Sequence, residues 1–168
     1  MVLGMSLSAF TTLHVALSLI GIATGQIVVA GMLGSRRFDG WTAAFLATTI
    51  LTSVTGYFFP VERILPSHVV GAISLVVLAL AAAAFYRFRL EGASRGIYVV
   101  AAVIALYLNV FVLVAQGFLK VPALKALAPT QSEPPFLIAQ GAVLAAFVAM
   151  GIGAFRSFHP PTLERIHP

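Results

Sequence analysis

The chain contains no cysteine. Disulfides, thiolate catalysis, cysteine-ligated iron–sulfur clusters and cysteine lipidation are therefore excluded. Charge is nearly as scarce, because Asp, Glu, Lys and Arg make up 9% of the 168 residues and only five residues are acidic. A water-soluble domain carries roughly a quarter of its residues charged, so the solvent that explains this composition is a bilayer. The scarcity is also uneven. Five runs, Phe10–Leu33, Trp41–Phe59, Ser67–Tyr86, Ile97–Leu119 and Phe136–Phe155, contain no charged residue at all. Too little chain lies outside them to build a separate soluble domain.

What is present is apolar: 60% of the residues are hydrophobic and the mean hydropathy is +1.03. About 20 apolar residues make a helix that spans the hydrocarbon core, and each run is of that length. The expected fold is an all-α integral membrane protein, a five-transmembrane-helix bundle forming one domain over residues 1–168, with residues 156–168 as a short tail. The first run is not expected to be a cleaved signal peptide, since it lacks a basic leading region and a small-residue cleavage site. Pro60, Pro66, Pro122, Pro129, Pro134 and Pro135 fall outside the runs or at their edges, so the helices should run unbroken. In the longest connection, between runs four and five, Pro122 suits a first helical turn and Leu124 and Leu127 share a face. A short interfacial helix over Pro122–Ala128 is expected there, serving as a connector.

The basic excess gives an orientation. Five spans put the termini on opposite sides. Arg36, Arg37, Arg87, Arg89, Arg95, Arg156 and Arg165 then share one side, against Arg63, Lys120 and Lys125 on the other. Loops rich in Lys and Arg stay cytoplasmic, so the N-terminus is expected outside and the C-terminus in the cytoplasm. Trp41, Tyr86 and Tyr98 would be interfacial aromatics at the cytoplasmic ends of their helices, with Tyr57, Phe58, Phe59, Phe118 and Phe136 at the outer ends. No basic cluster alternates with aromatics, so nucleic acid is not an expected partner.

Polar side chains within spans face the bundle interior. Thr11, His14, Ser18, Gly21 and Gly25 form one stripe on span one, and the last two make a GxxxG for close helix approach. Thr48, Thr52 and Thr55 line span two, with Thr49, Ser53 and Gly56 beside them. Asn109, Gln116 and Lys120 follow on span four, Gln140 on span five, and Ser67 and His68 open span three. The larger polar groups gather at the outer end. The inner half offers Thr24, Gln26, Thr42, Thr48, Thr49 and Ser74. The expected site is a polar pocket in the outer leaflet, formed by His14, Ser18, Thr52, Tyr57, His68, Asn109, Gln116, Lys120 and Gln140. Many of the Ser, Thr and Gly residues can equally serve helix packing, with hydroxyls bonded to their own helix.

Three stretches carry a resemblance: H-V-A-L-S-L-I-G-I-A-T-G from His14, L-T-S-V-T-G-Y-F-F-P from Leu51 and P-S-H-V-V-G from Pro66. They look like uncharacterised small bacterial polytopic membrane proteins, a group loosely similar to membrane-embedded b-type cytochromes over the first three spans. The resemblance implies a bacterial inner (cytoplasmic) membrane. It also raises a single b-type haem with His14 and His68 as axial ligands. Those cytochromes usually carry two haems and four histidines within the membrane, whereas His159 and His167 here lie in the tail, so two haems are excluded.

The functional expectation is binding of a small lipophilic or cofactor-like ligand, such as a quinone or lipid, with Lys120 and Arg63 at the rim. The alternatives are a single-haem redox protein and an accessory subunit of a larger membrane complex. The last would use small-residue helix faces (Ala145, Ala146, Ala149, Gly151, Gly153 and Ala154) for homo- or hetero-oligomer contacts. A proton-coupled transporter is disfavoured, since no span carries a carboxylate or a proline break. Enzyme activity has the least support: His14 or His68 as a base, with Glu62 or Glu133 nearby, follows no catalytic motif.

Overall fold

Asp39 just before it and the polar residues Thr42, Thr48, Thr49, Thr52, Ser53 and Thr55 within it set the second run apart from the other four, and the structure follows that difference. The computed structural model describes residues 1–60 and 66–160, with only the backbone at Pro66. Glu62, Arg63, Arg165 and His167 lie outside the described residues. The chain forms α1 (Leu7–Leu33), α2 (Asp39–Gly56), α3 (Pro66–Ala82, continuing as a π-helical turn over Ala83–Arg87), α4 (Ala93–Lys120), α5 (Pro122–Leu127) and α6 (Pro134–Ser157). No strand occurs among the described residues. Four helical stretches, Leu7–Leu33, Ser67–Arg87, Ala93–Lys120 and Pro134–Ser157, are long and apolar enough to cross a membrane. This is an all-helical membrane protein. The 18-residue α2 is about 27 Å long but is not among those four stretches, because Asp39 and its hydroxyl residues dilute its apolar content.

The α1–α2 pair is antiparallel and in contact along its whole length. A Cβ on Gly31 would meet the Phe38 ring at 2.7 Å, and one on Gly25 would meet the Phe45 ring at 2.8 Å. One on Gly21 would meet Thr49 Oγ1 at 2.9 Å. Further along, His14 bonds Thr55 and Phe10 packs on Phe59 with ring centroids 5.0 Å apart. The GxxxG expectation is realised in this way: Gly21 and Gly25 let α1 sit against α2 and, through Asn109 and Leu106, against α4.

The same logic joins α4 to α6. Gly96 meets Phe155, Val103 meets Gly151, Tyr107 packs on Phe147 and Phe118 on Phe136, so these two helices are also antiparallel. α4 touches α1, α3 and α6 and buries Val99, Ala102, Ala105 and Leu106 completely or nearly so. Its small side chains make it the hub. Gly153 packs on Leu33 and Gly151 on Val103, so these two glycines serve contacts within the chain, while Ala145, Ala146 and Ala149 face outward.

At the arginine-bearing end the helices are cross-linked by polar groups. Thr42 and Tyr98 meet hydroxyl to hydroxyl at 2.9 Å. The Tyr98 ring packs on Phe85 and Phe158, so Tyr98 is a core residue at the arginine-bearing end rather than an interfacial one; Trp41 and Tyr86 are exposed as interfacial aromatics are. Arg37 stacks on Phe85 and pairs with Asp39. Arg95 donates to the carbonyls of Phe158 (2.6 Å) and Phe155 (3.2 Å), satisfying α6 carbonyls that have no helical partner and opposing the negative end of its dipole. The amide of His159 donates to Ser35 Oγ, tying the segment after α6 to the α1–α2 loop. The π turn at Ala83–Arg87 departs from the unbroken helix expected there.

At the opposite end, α5 begins at Pro122 as its composition requires. Leu124 reaches Gly117 on α4, while Leu127 is exposed. Glu133 is taken up by its own loop, accepting from the Thr130 amide and hydroxyl and the Ser132 amide. Desolvation pushes its pKa up, but these donors outweigh it and hold the carboxyl below its usual value.

Candidate functional site

In the half of the bundle away from the arginines, α1, α2, α3 and α4 border a half-open cavity of about 80 Å³. Its walls carry His14, Ser18, Thr52, Ser53, Ser67, Ser74 and Asn109, with Gly56, Val70, Gly71, Leu108 and Val112 between them. Helical spacing explains the α1 contribution, since His14 and Ser18 are four residues apart and share a face. The closeness of α1 to α2 at Gly21 brings that face against Thr52 and Gly56.

Most hydroxyls here are already committed. Thr48, Thr52 and Thr55 donate to the carbonyls of Ala44, Thr48 and Leu51 on their own helix, as hydroxyls in membrane helices commonly do. Ser53 donates to Ser74 across α2 and α3. The commitment of Thr55 has a consequence for His14. A hydroxyl has one proton, and that of Thr55 goes to Leu51 (2.7 Å). With the Thr55 proton on Leu51, the 2.8 Å contact with His14 Nδ1 is a donation by His14, and Nε2 is then the ring nitrogen able to accept. The Phe59 ring stands edge-on to the imidazole at 5.1 Å and fixes its plane.

Unspent polar capacity remains beside this acceptor. Asn109 makes one long bond, from Nδ2 to Thr49 Oγ1 at 3.4 Å, and its Oδ1 makes none among the described residues. Ser18 and Ser67 also make no side-chain hydrogen bond among them. The cavity thus presents two acceptors, His14 Nε2 and Asn109 Oδ1, and two hydroxyls that can donate or accept.

The expected site residues divide accordingly. His14, Ser18, Thr52 and Asn109 line the cavity together. Tyr57 and His68 meet outside its lining, the Tyr57 hydroxyl donating to the His68 carbonyl at 2.7 Å and its ring lying over Gly71. Gln116 and Lys120 are exposed on α4 and do not line the cavity. Gln140 is buried at the contact of α6 with α4, where Nε2 donates to the Phe111 carbonyl and Oε1 has no partner among the described residues. Sequence reasoning assigned Ser74 to the inner half, whereas it faces the cavity through Ser53. Its register against α2 was the missing information.

The haem alternative can be weighed on the same geometry. Small-molecule sites begin at roughly 300 Å³, several times the volume that His14 lines, and His68 is not part of that lining. This cavity therefore brings only one of the two proposed axial histidines to its wall. Among the described residues no group of three or more His, Cys, Asp or Glu side chains could hold a metal ion. No known family model matches the chain, and neither curated proteins nor solved structures give a match.

Proposed function

We propose that the protein binds the polar head of a lipophilic molecule, of quinone or lipid type, in the cavity among α1–α4. The observation that carries this reading is the unspent hydrogen-bonding capacity of His14, Ser18, Ser67 and Asn109, brought together from three helices. Polar groups left unpaired in hydrocarbon are costly; a head bearing hydroxyls, as in a quinol or a glycerol lipid, would donate to both acceptors, and a quinone carbonyl would instead accept from Ser18 or Ser67. At roughly 30 Å³ per water molecule, 80 Å³ takes a head group or a few waters, so the apolar remainder of the ligand would lie outside. The test is mass spectrometry of lipids and quinones co-extracted with the protein in mild detergent, for wild type and for His14→Ala and Asn109→Ala. A stoichiometric species lost in both variants is expected; the same extract from all three proteins would defeat the proposal.

The membrane arrangement belongs to the same reading. Five spans are favoured because α2 retraces the depth of α1 through the contacts at Phe45, Thr49, Thr55 and Phe59. Pro122–Leu127 would then lie at the interface, its Leu124 turned to the bundle. The charge bias favours a cytoplasmic arginine-bearing end in a bacterial inner membrane, with the N-terminus outside. A reporter fused after Pro168 that works only in the periplasm would overturn this orientation.

A role as a subunit of a larger complex is the second reading, favoured by the outward apolar face of α6, where Leu137, Ile138, Val148 and Ile152 are half exposed or more. Stoichiometric co-purification of another chain would support it; α6 labelled only by lipid-borne probes would oppose it.

A further inference from the structure

The α3–α4 connection breaks three local rules within eight residues. α3 ends in a π turn over Ala83–Arg87, and the two residues Arg89 and Leu90 both adopt positive φ, at 49° and 64°. Neither is glycine, and such conformations cost free energy that the surrounding structure must offset. The fold holds them with Leu90 buried, its amide bonded to the Ala84 carbonyl and that of Glu91 to the Phe88 carbonyl. The result is that Arg87, Phe88 and Arg89 are all turned outward beside the start of α4.

Two connected grooves meet there. One, of about 720 Å³, is bordered by Arg87, Arg89, Glu91 and Ser94. The other, of about 510 Å³, runs between α3 and α4 along Val77, Leu80, Ile97, Val100 and Ile104. Ala93 and Ile97 belong to both. A cationic mouth, with a single carboxylate against two arginines, therefore opens directly onto an apolar channel on the membrane-facing side of the bundle. Arg95 borders the apolar groove but is engaged with the carbonyls of Phe155 and Phe158, so Arg87 and Arg89 are the residues left to meet a ligand.

We propose that this groove is a binding site for an anionic phospholipid of the arginine-side leaflet, with its phosphodiester at Arg87 and Arg89 and one acyl chain along Leu80, Ile97 and Ile104. Charge complementarity selects the occupant. A guanidinium pairs with phosphate oxygens through a planar fork of donors, and basic residues at a membrane surface favour anionic over zwitterionic lipid by roughly fivefold each. An apolar peptide segment would leave the arginines unmatched, and a free phosphate would leave the channel unused. The distorted turn carries both arginines at the mouth that adjoins the apolar groove.

The experiment is native mass spectrometry of the full chain in detergent, titrated with phosphatidylglycerol, with phosphatidylcholine of the same acyl chains, or with inorganic phosphate. Phosphatidylglycerol should be retained at least tenfold more strongly than phosphatidylcholine, and inorganic phosphate should not compete at equal concentration. Arg87→Gln with Arg89→Gln should remove that preference, while Arg36→Gln, on the same end but outside the groove, should leave it unchanged. Ile97→Trp, at a half-exposed position, should reduce retention of both lipids by filling the channel. Equal retention of the two lipids, competition by phosphate, or an Arg36→Gln loss as large as that of the double variant would each overturn the proposal.

Discussion

The hydroxyls of Thr42 and Tyr98 meet at 2.9 Å between α2 and α4, and both side chains are 1% exposed. Interhelical hydrogen bonds within membranes average about 0.6 kcal/mol. A double-mutant cycle with Thr42→Val and Tyr98→Phe, read by thermal or denaturant unfolding in detergent, should give a coupling of about 0.5–1.5 kcal/mol. Additive single effects would show that the pair is adjacent without being bonded.

Glycine replacements should separate by position. A Cβ on Gly21 meets Thr49 Oγ1 at 2.9 Å and Asn109 Nδ2 at 3.2 Å, whereas one on Gly141 meets nothing within 4 Å. Gly21→Ala should destabilise by about 1–3 kcal/mol, and Gly141→Ala should stabilise by about 0.5–1 kcal/mol through helix propensity. Unfolding midpoints that move in the same direction for both would contradict the packing described.

Gln140 is buried, and its Oε1 has no partner among the described residues. Gln140→Leu removes that unmet acceptor and keeps much of the volume, and the Phe111 carbonyl retains its place in the α4 ladder. The variant should be as stable as wild type or up to about 1 kcal/mol more stable. A substantial loss in unfolding midpoint would mean that Gln140 has a partner essential to the fold.

Glu133 sets a pH dependence in the loop before α6. Its folded pKa is lowered, so its bonds to Thr130 and Ser132 are at full strength above the ordinary carboxyl pKa. They are lost as pH falls through the folded value. NMR titration should place the carboxyl midpoint below its ordinary value, with the Thr130 and Ser132 amides shifting together, and Glu133→Gln should abolish that transition. A midpoint at or above the ordinary value would contradict these bonds.

The helices were legible because lipid demands long uncharged runs, and their prolines and loop arginines marked the ends. Part of the cavity lining was legible as well: His14, Ser18, Thr52 and Asn109 follow from helical spacing and polarity alone. Gln116 and Gln140 did not join them, because periodicity says which residues share a face but not which neighbour that face meets. The same gap hid Tyr98, whose phenol suggests an interface until Thr42 is seen to cover it. Nothing in A-A-F-Y-R-F-R-L announces a π turn followed by two left-handed residues, since no glycine marks either position.

The threonine bonds within α2 bear on how the chain is made. Asp39 and the polar residues make α2 the least apolar of the long helices, and an isolated segment of that kind gains little by leaving water. Bonding Thr48, Thr52 and Thr55 to their own helix lowers that cost in α2 itself, whereas seating Phe45 and Thr49 against the glycines of α1 lowers it further only when α1 is beside it. On the proposed five-span reading, α2 is expected to enter the bilayer during synthesis as the second arm of a hairpin. A fusion carrying residues 1–60 should integrate efficiently, and one carrying residues 34–60 alone should remain extractable by alkaline carbonate.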